Sequence, residues 1–154
     1  MNRGVTHTLH PGDIVCAQGG ERLETLLGSC VAIVLTDPRR TLGAMCHIVH
    51  SHPALTGASE SGACAEVALS RMYALLRARG IDPLRCEAYV YGGGNMFPEL
   101  FTQAHVGERN ADWALDALAR DGVPVLQHDL GGRRYRRLSW TVGPEAPRVT
   151  AVAI

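Results

Sequence analysis

Val31-Ala32-Ile33-Val34-Leu35 contains no polar residue, and a second apolar run, Leu42-Gly43-Ala44-Met45-Cys46-His47-Ile48-Val49, follows it across Thr36-Asp37-Pro38-Arg39-Arg40. An unbroken apolar run bounded by turn residues reads as a strand buried on both faces, which requires protein layers on both sides of it. The intervening Asp-Pro segment reads as a turn, so the second strand folds back antiparallel alongside the first. Such a hairpin brings the start of the first strand near the end of the second. Those two places are occupied by Cys30 and His47.

A thiol performs acyl transfer as the thiolate, so it needs a neighbouring base that removes its proton and later returns it to the leaving group. Histidine is the usual partner. Cys30 follows Leu26-Leu27-Gly28-Ser29, and the small residues Gly28 and Ser29 leave room for backbone to approach a substrate carbonyl. The competing reading is an inert core thiol, the commoner fate of a free cysteine beside an apolar strand. Ser29 is a rival nucleophile, but it lacks the G-x-S-x-G elbow, and an alkoxide is harder to form than a thiolate.

Several separated blocks carry a family resemblance: Thr25-Leu26-Leu27-Gly28-Ser29-Cys30-Val31-Ala32, Gly43-Ala44-Met45-Cys46-His47, Tyr91-Gly92-Gly93-Gly94-Asn95-Met96-Phe97, Val106-Gly107-Glu108-Arg109-Asn110 and Asp129-Leu130-Gly131-Gly132. In this order and spacing, the chain from about Gly12 to Gly143 resembles the chemoreceptor glutamine deamidases called CheD. The resemblance implies a protein-glutamine amidohydrolase that converts glutamines of methyl-accepting chemoreceptors to glutamate through a cysteine thioester, with a related action on receptor glutamyl methyl esters. By position, Cys30 matches the family's nucleophile, His47 its general base, and Thr25 the residue that orients the histidine. It implies no cofactor, and it admits a CheC-type phosphatase as a partner. A non-catalytic module that docks receptors or that phosphatase is the alternative from another functional class.

Two departures from the family pattern stand out. Ile48-Val49-His50-Ser51-His52-Pro53 adds two histidines after the base, and Cys64 stands where the following helix usually carries tyrosine. Cys46, His47, His50 and His52 have donor types that suit zinc. On a strand, however, Cys46 and His47 point to opposite faces, so no metal role is assigned. Tyr91-Gly92-Gly93-Gly94-Asn95 lacks the lysine and hydroxyl of a phosphate loop. The expected role of Gly93 and Gly94 is a tight turn bordering the substrate, with Asn95 either contacting the substrate amide or simply forming the turn. Arg133-Arg134-Tyr135-Arg136-Arg137 reads as a solvated hairpin strand, with docking of an acidic receptor helix as its functional alternative.

The 154 residues carry 15 Lys+Arg against 15 Asp+Glu, so no sequence-wide charge points to nucleic acid or to an anionic membrane surface. No stretch has the length of a membrane span, and the first residues lack the apolar core of a secretory signal, so a cytoplasmic protein without membrane insertion is expected. Cys16, Cys30, Cys46, Cys64 and Cys86 form no C-x-x-C pair, and free thiols are expected.

Short strands are expected over Asp13 to Gln18, Leu23 to Leu27, Glu87 to Tyr91, Val123 to His128, Arg136 to Val142 and Arg148 to Ile154. An amphipathic helix is expected from about Gly62 to Arg79, with Ala68, Leu69, Met72, Leu75 and Leu76 on its apolar face and Gly80 as its stop. Glu108 to Asp121 forms a second helix, with Ala111, Ala114, Leu115 and Leu118 inward and Gly122 at its end. Many strands with two helices predict a layered α+β domain spanning residues 1–154. The resemblance sharpens this to an α/β/β/α sandwich with mainly antiparallel sheets and two main helices.

Overall fold

The computed structural model describes residues 4–51, 61–97 and 105–153. Nine strands and two α-helices follow in chain order: β1 (Thr6–Leu9), β2 (Ile14–Gln18), β3 (Arg22–Leu27), β4 (Val31–Thr36), β5 (Leu42–Ile48), α1 (Ala65–Ala78), β6 (Glu87–Gly92), α2 (Val106–Arg120), β7 (Val125–Leu130), β8 (Arg134–Thr141) and β9 (Arg148–Ala153). They build a five-stranded sheet of order β2-β5-β4-β6-β7 and a four-stranded sheet of order β1-β3-β8-β9. Both sheets are mixed. Each adds one parallel pair, β6–β7 or β1–β3, to antiparallel ladders. The β6–β7 pair is parallel because α2 carries the chain back across the sheet between them.

The β4–β5 hairpin is the centre of the five-stranded sheet, with Ala32 opposite His47 and Val34 opposite Met45. Its turn is held by the Asp37 carboxylate, which accepts from Thr41 N at 2.9 Å, Thr41 Oγ1 at 2.7 Å and Leu42 N at 2.9 Å. Every residue of β4 is buried. Val31, Ile33 and Leu35 pack under the helices with Met72, Leu76, Ala114 and Leu118. Ala32 and Val34 point the other way, into a second core with Leu23, Leu27, Leu138 and Trp140 of the four-stranded sheet. The layers demanded by the apolar hairpin are therefore two helices on one face and a sheet on the other, and each fully buried Leu or Ile contributes about 1.5–3 kcal/mol.

Both helices end where the sequence places them, at Gly80 (φ +81°) and Gly122 (φ +73°), conformations that favour glycine. On α1 the buried positions are Ala65, Ala68, Leu69, Met72 and Leu76. Leu75, expected inward, is 39% exposed, because the spacing that centres Ala68 and Met72 on the sheet turns position 75 to the rim. Tyr73 reaches the end of α2, where its hydroxyl donates to Asp121 Oδ2 at 2.7 Å. The inward face of α2 is built from Gly107, Asn110, Ala111, Ala114, Ala117 and Leu118, mostly small residues that let the helix lie close to the sheet. β1 was not anticipated, since four residues of mixed polarity give too short an alternation to read.

Gly43 of β5 lies under Trp140, and a Cβ at that position would overlap the indole ring. Gly43→Ala should lower stability by about 1–3 kcal/mol through overpacking. In urea unfolding, the loss should be smaller when Gly43→Ala is made in a Trp140→Leu background. Equal losses in both backgrounds would show that the indole contact is not the cause.

Candidate active site

Thr25, Cys30 and His47 come together where the two sheets face each other. Thr25 lies on β3 with its side chain directed inward and is 4% exposed. His47 is the penultimate residue of β5 and is 3% exposed. It lies opposite Ala32, whose side chain belongs to the core between the sheets. Cys30, two residues before Ala32 and thus on the same face, packs against that core and is partly exposed. Cys30 stands one residue before the first pair of that ladder, Val31 opposite Ile48, on the side of the sheet to which His47 belongs. Among the described residues no hydrogen bond joins the thiol and the imidazole, a looseness common in sites without substrate.

The histidine is held tightly. Its Nδ1 lies 2.7 Å from Thr25 Oγ1, and Thr25 Oγ1 donates to Leu9 O at 2.8 Å. A hydroxyl has one proton; here it is directed at the Leu9 carbonyl, so the hydroxyl oxygen accepts from Nδ1–H. That arrangement fixes the neutral tautomer with the lone pair on Nε2. Main chain brackets the same residue, with Gly12 N donating to His47 O at 2.9 Å and His47 N to Asp13 O at 3.2 Å. Burial drives the imidazole's pKa down to about 4, with Asp13 opposing the shift and His10 adding to it. Burial also raises the thiol pKa of Cys30. Both groups are neutral near pH 7.

The segment carrying the cysteine is gripped by glycine backbone. Gly94 N donates to Gly28 O and Gly93 N to Cys30 O, both at 2.9 Å. A Cβ at Gly92 would collide with the Cys30 carbonyl. Gly28 itself faces Met96 and Tyr135, where a Cβ would come within 3.0 Å of the Met96 sulfur and 3.2 Å of the Tyr135 ring. Ser29 is half-buried, and its carbonyl accepts from Asn110 Nδ2 at 3.2 Å. Asn95 Oδ1 accepts from Phe97 N at 3.1 Å, the hydrogen bond of a turn-forming asparagine.

The remaining candidates fall elsewhere. Cys46 points to the helix side, opposite to His47, and burial pushes its thiol up to about 12. Cys64 is buried at the start of α1, His50 forms an isolated bridge with it, and His52 lies outside the described residues. All five thiols are free. The basic run divides, because Arg134 and Arg137 are exposed while Arg136 is 1% exposed. Arg136 donates to Asp129 Oδ1 at 3.0 and 3.2 Å, to Gly92 O at 3.1 Å and to Gly131 O at 2.6 Å. A strand with its alternate residues buried explains the difference from the expected solvated run. A cavity of about 1150 Å³ is lined by Arg22, Arg40 and Arg79 among others and includes none of the three catalytic candidates. Sequence reasoning missed Leu9, Asn110 and Arg136 as contributors. Their only signal was membership of a resembling block in the case of Asn110.

A family model described as CheD chemotactic sensory transduction matches residues 50–145. The chain is 36% identical over 141 residues to a protein of Albidiferax ferrireducens named probable chemoreceptor glutamine deamidase CheD 2, covering 87% of this chain and 80% of that one. It is 35% identical over 147 residues to the probable chemoreceptor glutamine deamidase CheD of a Jannaschia species, covering 94% of this chain and 81% of the relative. A solved structure of a Neisseria meningitidis protein superposes with a TM-score of 0.48 at 16% identity, covering 85% of this chain and 65% of that one. With two relatives above 30% identity over most of both chains and a family model spanning more than half of this one, the chain belongs to the CheD family.

Proposed function

We propose that this chain is a protein-glutamine deamidase acting on chemoreceptors, with Cys30 as nucleophile, His47 as general base and acid, and Thr25 as the group that orients the imidazole. The observation that carries this reading is the buried Leu9–Thr25–His47 hydrogen-bond chain, which leaves Nε2 unprotonated on the face shared with Cys30. The names of the relatives, probable chemoreceptor glutamine deamidases, supply the reaction and the substrate class.

In the proposed reaction, His47 Nε2 removes the Sγ proton as the sulfur attacks the side-chain amide carbon of a glutamine. The carbonyl oxygen becomes an oxyanion, for which the Cys30 N–H is the proposed donor. The imidazolium then returns its proton to the departing nitrogen, releasing ammonia and leaving a thioester on Cys30. Water, deprotonated by the same Nε2, attacks the thioester; sulfur leaves as thiol and the product is glutamate. A glutamyl methyl ester would pass through the same steps with methanol as leaving group. Receptor signalling helices are met in the cytoplasm, which is the compartment proposed here, and a CheC-type phosphatase is proposed as a further partner. Gly28, Ser29, Gly93, Gly94 and Asn95 are proposed to line the substrate's approach.

The neutral resting pair distinguishes this site from one with a preformed thiolate–imidazolium. Proton transfer then accompanies attack and is driven by substrate binding.

Incubation with an unmodified receptor cytoplasmic fragment should yield, by mass spectrometry, a gain of about 1 Da at each converted glutamine. Cys30→Ala should abolish conversion and Ser29→Ala only reduce it. Thr25→Val should lower kcat on the order of 10- to 100-fold by releasing the imidazole. Conversion by Cys30→Ala would refute the mechanism, and receptor binding without conversion by the wild type would favour the docking module.

The base must be neutral to accept a proton, and its pKa of about 4 lies below the ordinary 6.5. Activity should therefore persist as pH falls through 6.5 and be lost as it falls through about 4, read as the acid limb of kcat/KM. An acid limb near 6.5 would show that His47 is not held in this buried, neutral state.

A further inference from the structure

We infer that Asn110 is a positioning residue for the reaction, a clamp that sets the nucleophile and the base relative to each other from the helix side of the sheet. This rests on the proposed roles of Cys30 and His47. Asn110 is fully buried at 0% exposure on α2. Its Nδ2 donates to Ser29 O at 3.2 Å and to Val49 O at 2.9 Å. Ser29 immediately precedes the nucleophile, and Val49 lies two residues beyond the base, so one amide group ties together the two chain segments that carry the chemistry.

The amide orientation follows from its neighbours. Both partners are carbonyl oxygens, so only the NH2 group can face them; the flipped amide would set Oδ1 against two acceptors. This leaves Oδ1 buried without a hydrogen-bond partner among the described residues. A core residue selected for stability alone would avoid such an orphan, which costs roughly 1–3 kcal/mol, and buried orphans that persist call for a reason. The reason here is geometric. No aliphatic side chain can donate to both carbonyls, and aspartate, of nearly the same size, would present only acceptors.

The helix is brought to this contact by Gly107, one turn earlier on the same face. A Cβ there would lie 2.5 Å from both Gly93 O and Gly94 O, so α2 touches down directly on the glycine corner. Gly93 and Gly94 in turn donate to Cys30 O and Gly28 O. Gly107 thus sets the height of the helix and Asn110 converts that height into a fixed distance between Ser29 and Val49. The Gly107-x-x-Asn110 spacing is one helical turn, which places both residues over the same spot of the sheet.

The test compares Asn110→Asp with wild type on the receptor fragment, using Leu76→Ala, a cavity at a buried position of α1 away from the space between the sheets, as a destabilised control. Asn110→Asp should lower kcat about 10- to 100-fold with KM within about threefold, the signature of misplaced reacting groups. Leu76→Ala should keep kcat. If Asn110→Asp does not fold, Asn110→Ser, whose shorter side chain leaves room for a bridging water, is read by the same criterion. The second readout is independent of deamidation: alkylation of Cys30 by iodoacetamide at pH 8, followed by peptide mass spectrometry. Release of the Ser29–Cys30 segment should speed it at least about threefold, since burial is what keeps the thiol protonated. A kcat within threefold of wild type, or a matching fall in Leu76→Ala, overturns the assignment. Should the wild type convert no glutamine, the proposed function fails, and the alkylation rate alone decides the clamp: acceleration supports it and an unchanged rate overturns it.

Discussion

The hydrogen bond between Thr25 and His47 is the constraint on which the rest of the molecule turns, because its two ends belong to different sheets. At 2.7 Å it tolerates almost no change in the separation of the layers, so the core between the sheets has to be built to one thickness. Trp140, Leu23, Leu27 and Leu138 from one sheet and Ala32, Val34 and Met45 from the other supply that thickness. The small residues answer the large ones: Gly43 makes room for the indole, and Ala32 stands opposite the imidazole. The short strand β1 owes its importance to the same bond. By pairing Leu9 with Thr25 it delivers the carbonyl that takes the threonine proton and leaves the hydroxyl oxygen free to accept from Nδ1.

The proposed nucleophile is positioned by different means. Cys30 precedes the regular ladder of β4, so its segment is held by contacts between backbone and neighbouring elements. Gly93 and Gly94 donate to it from the end of β6, and this corner is fixed from behind by Arg136, whose guanidinium reaches the carbonyls of Gly92 and Gly131 as well as Asp129. A buried arginine is costly unless its donors are satisfied. Three partners satisfy it, and all three lie on the corner that borders Cys30. The glycines are required here because main chain must approach main chain, as the collision at Gly92 demonstrates.

How much of this was legible in the sequence follows from the range of the interactions involved. The β4–β5 hairpin was legible because each strand is apolar throughout and the Asp37 turn is local chemistry. The helix ends were legible because Gly80 and Gly122 act within one turn. Thr25, Cys30 and His47 were legible as candidates through residue type and family resemblance, whereas the Leu9 carbonyl was not, since any residue can offer one. Arg136 looked solvated because a run of arginines hides the alternation of a strand. Asn110 stood in a resembling block, but nothing in the sequence pointed to its partners, which lie 81 and 61 residues away and are both backbone oxygens. Side chains that recognise backbone leave no complementary residue for the sequence to reveal.

The electrostatic state of the site links this architecture to the choice of substrate. Burial raises the Cys30 pKa and lowers that of His47, and both shifts disfavour the ion pair that makes many cysteine enzymes reactive toward any electrophile. A thiol kept neutral in this way is protected from oxidation and from small acylating agents. The proposed reaction then requires a carbonyl presented so closely that sulfur attack and proton transfer to Nε2 proceed together, with the oxyanion compensated as it forms. A free amino acid contributes little binding energy toward that alignment. A glutamine displayed on a folded helix, the proposed substrate, adds remote contacts around the Cys30 segment and spends them on holding the amide in place. In the proposed mechanism, the burial that keeps both groups neutral therefore favours a macromolecular substrate over a small one.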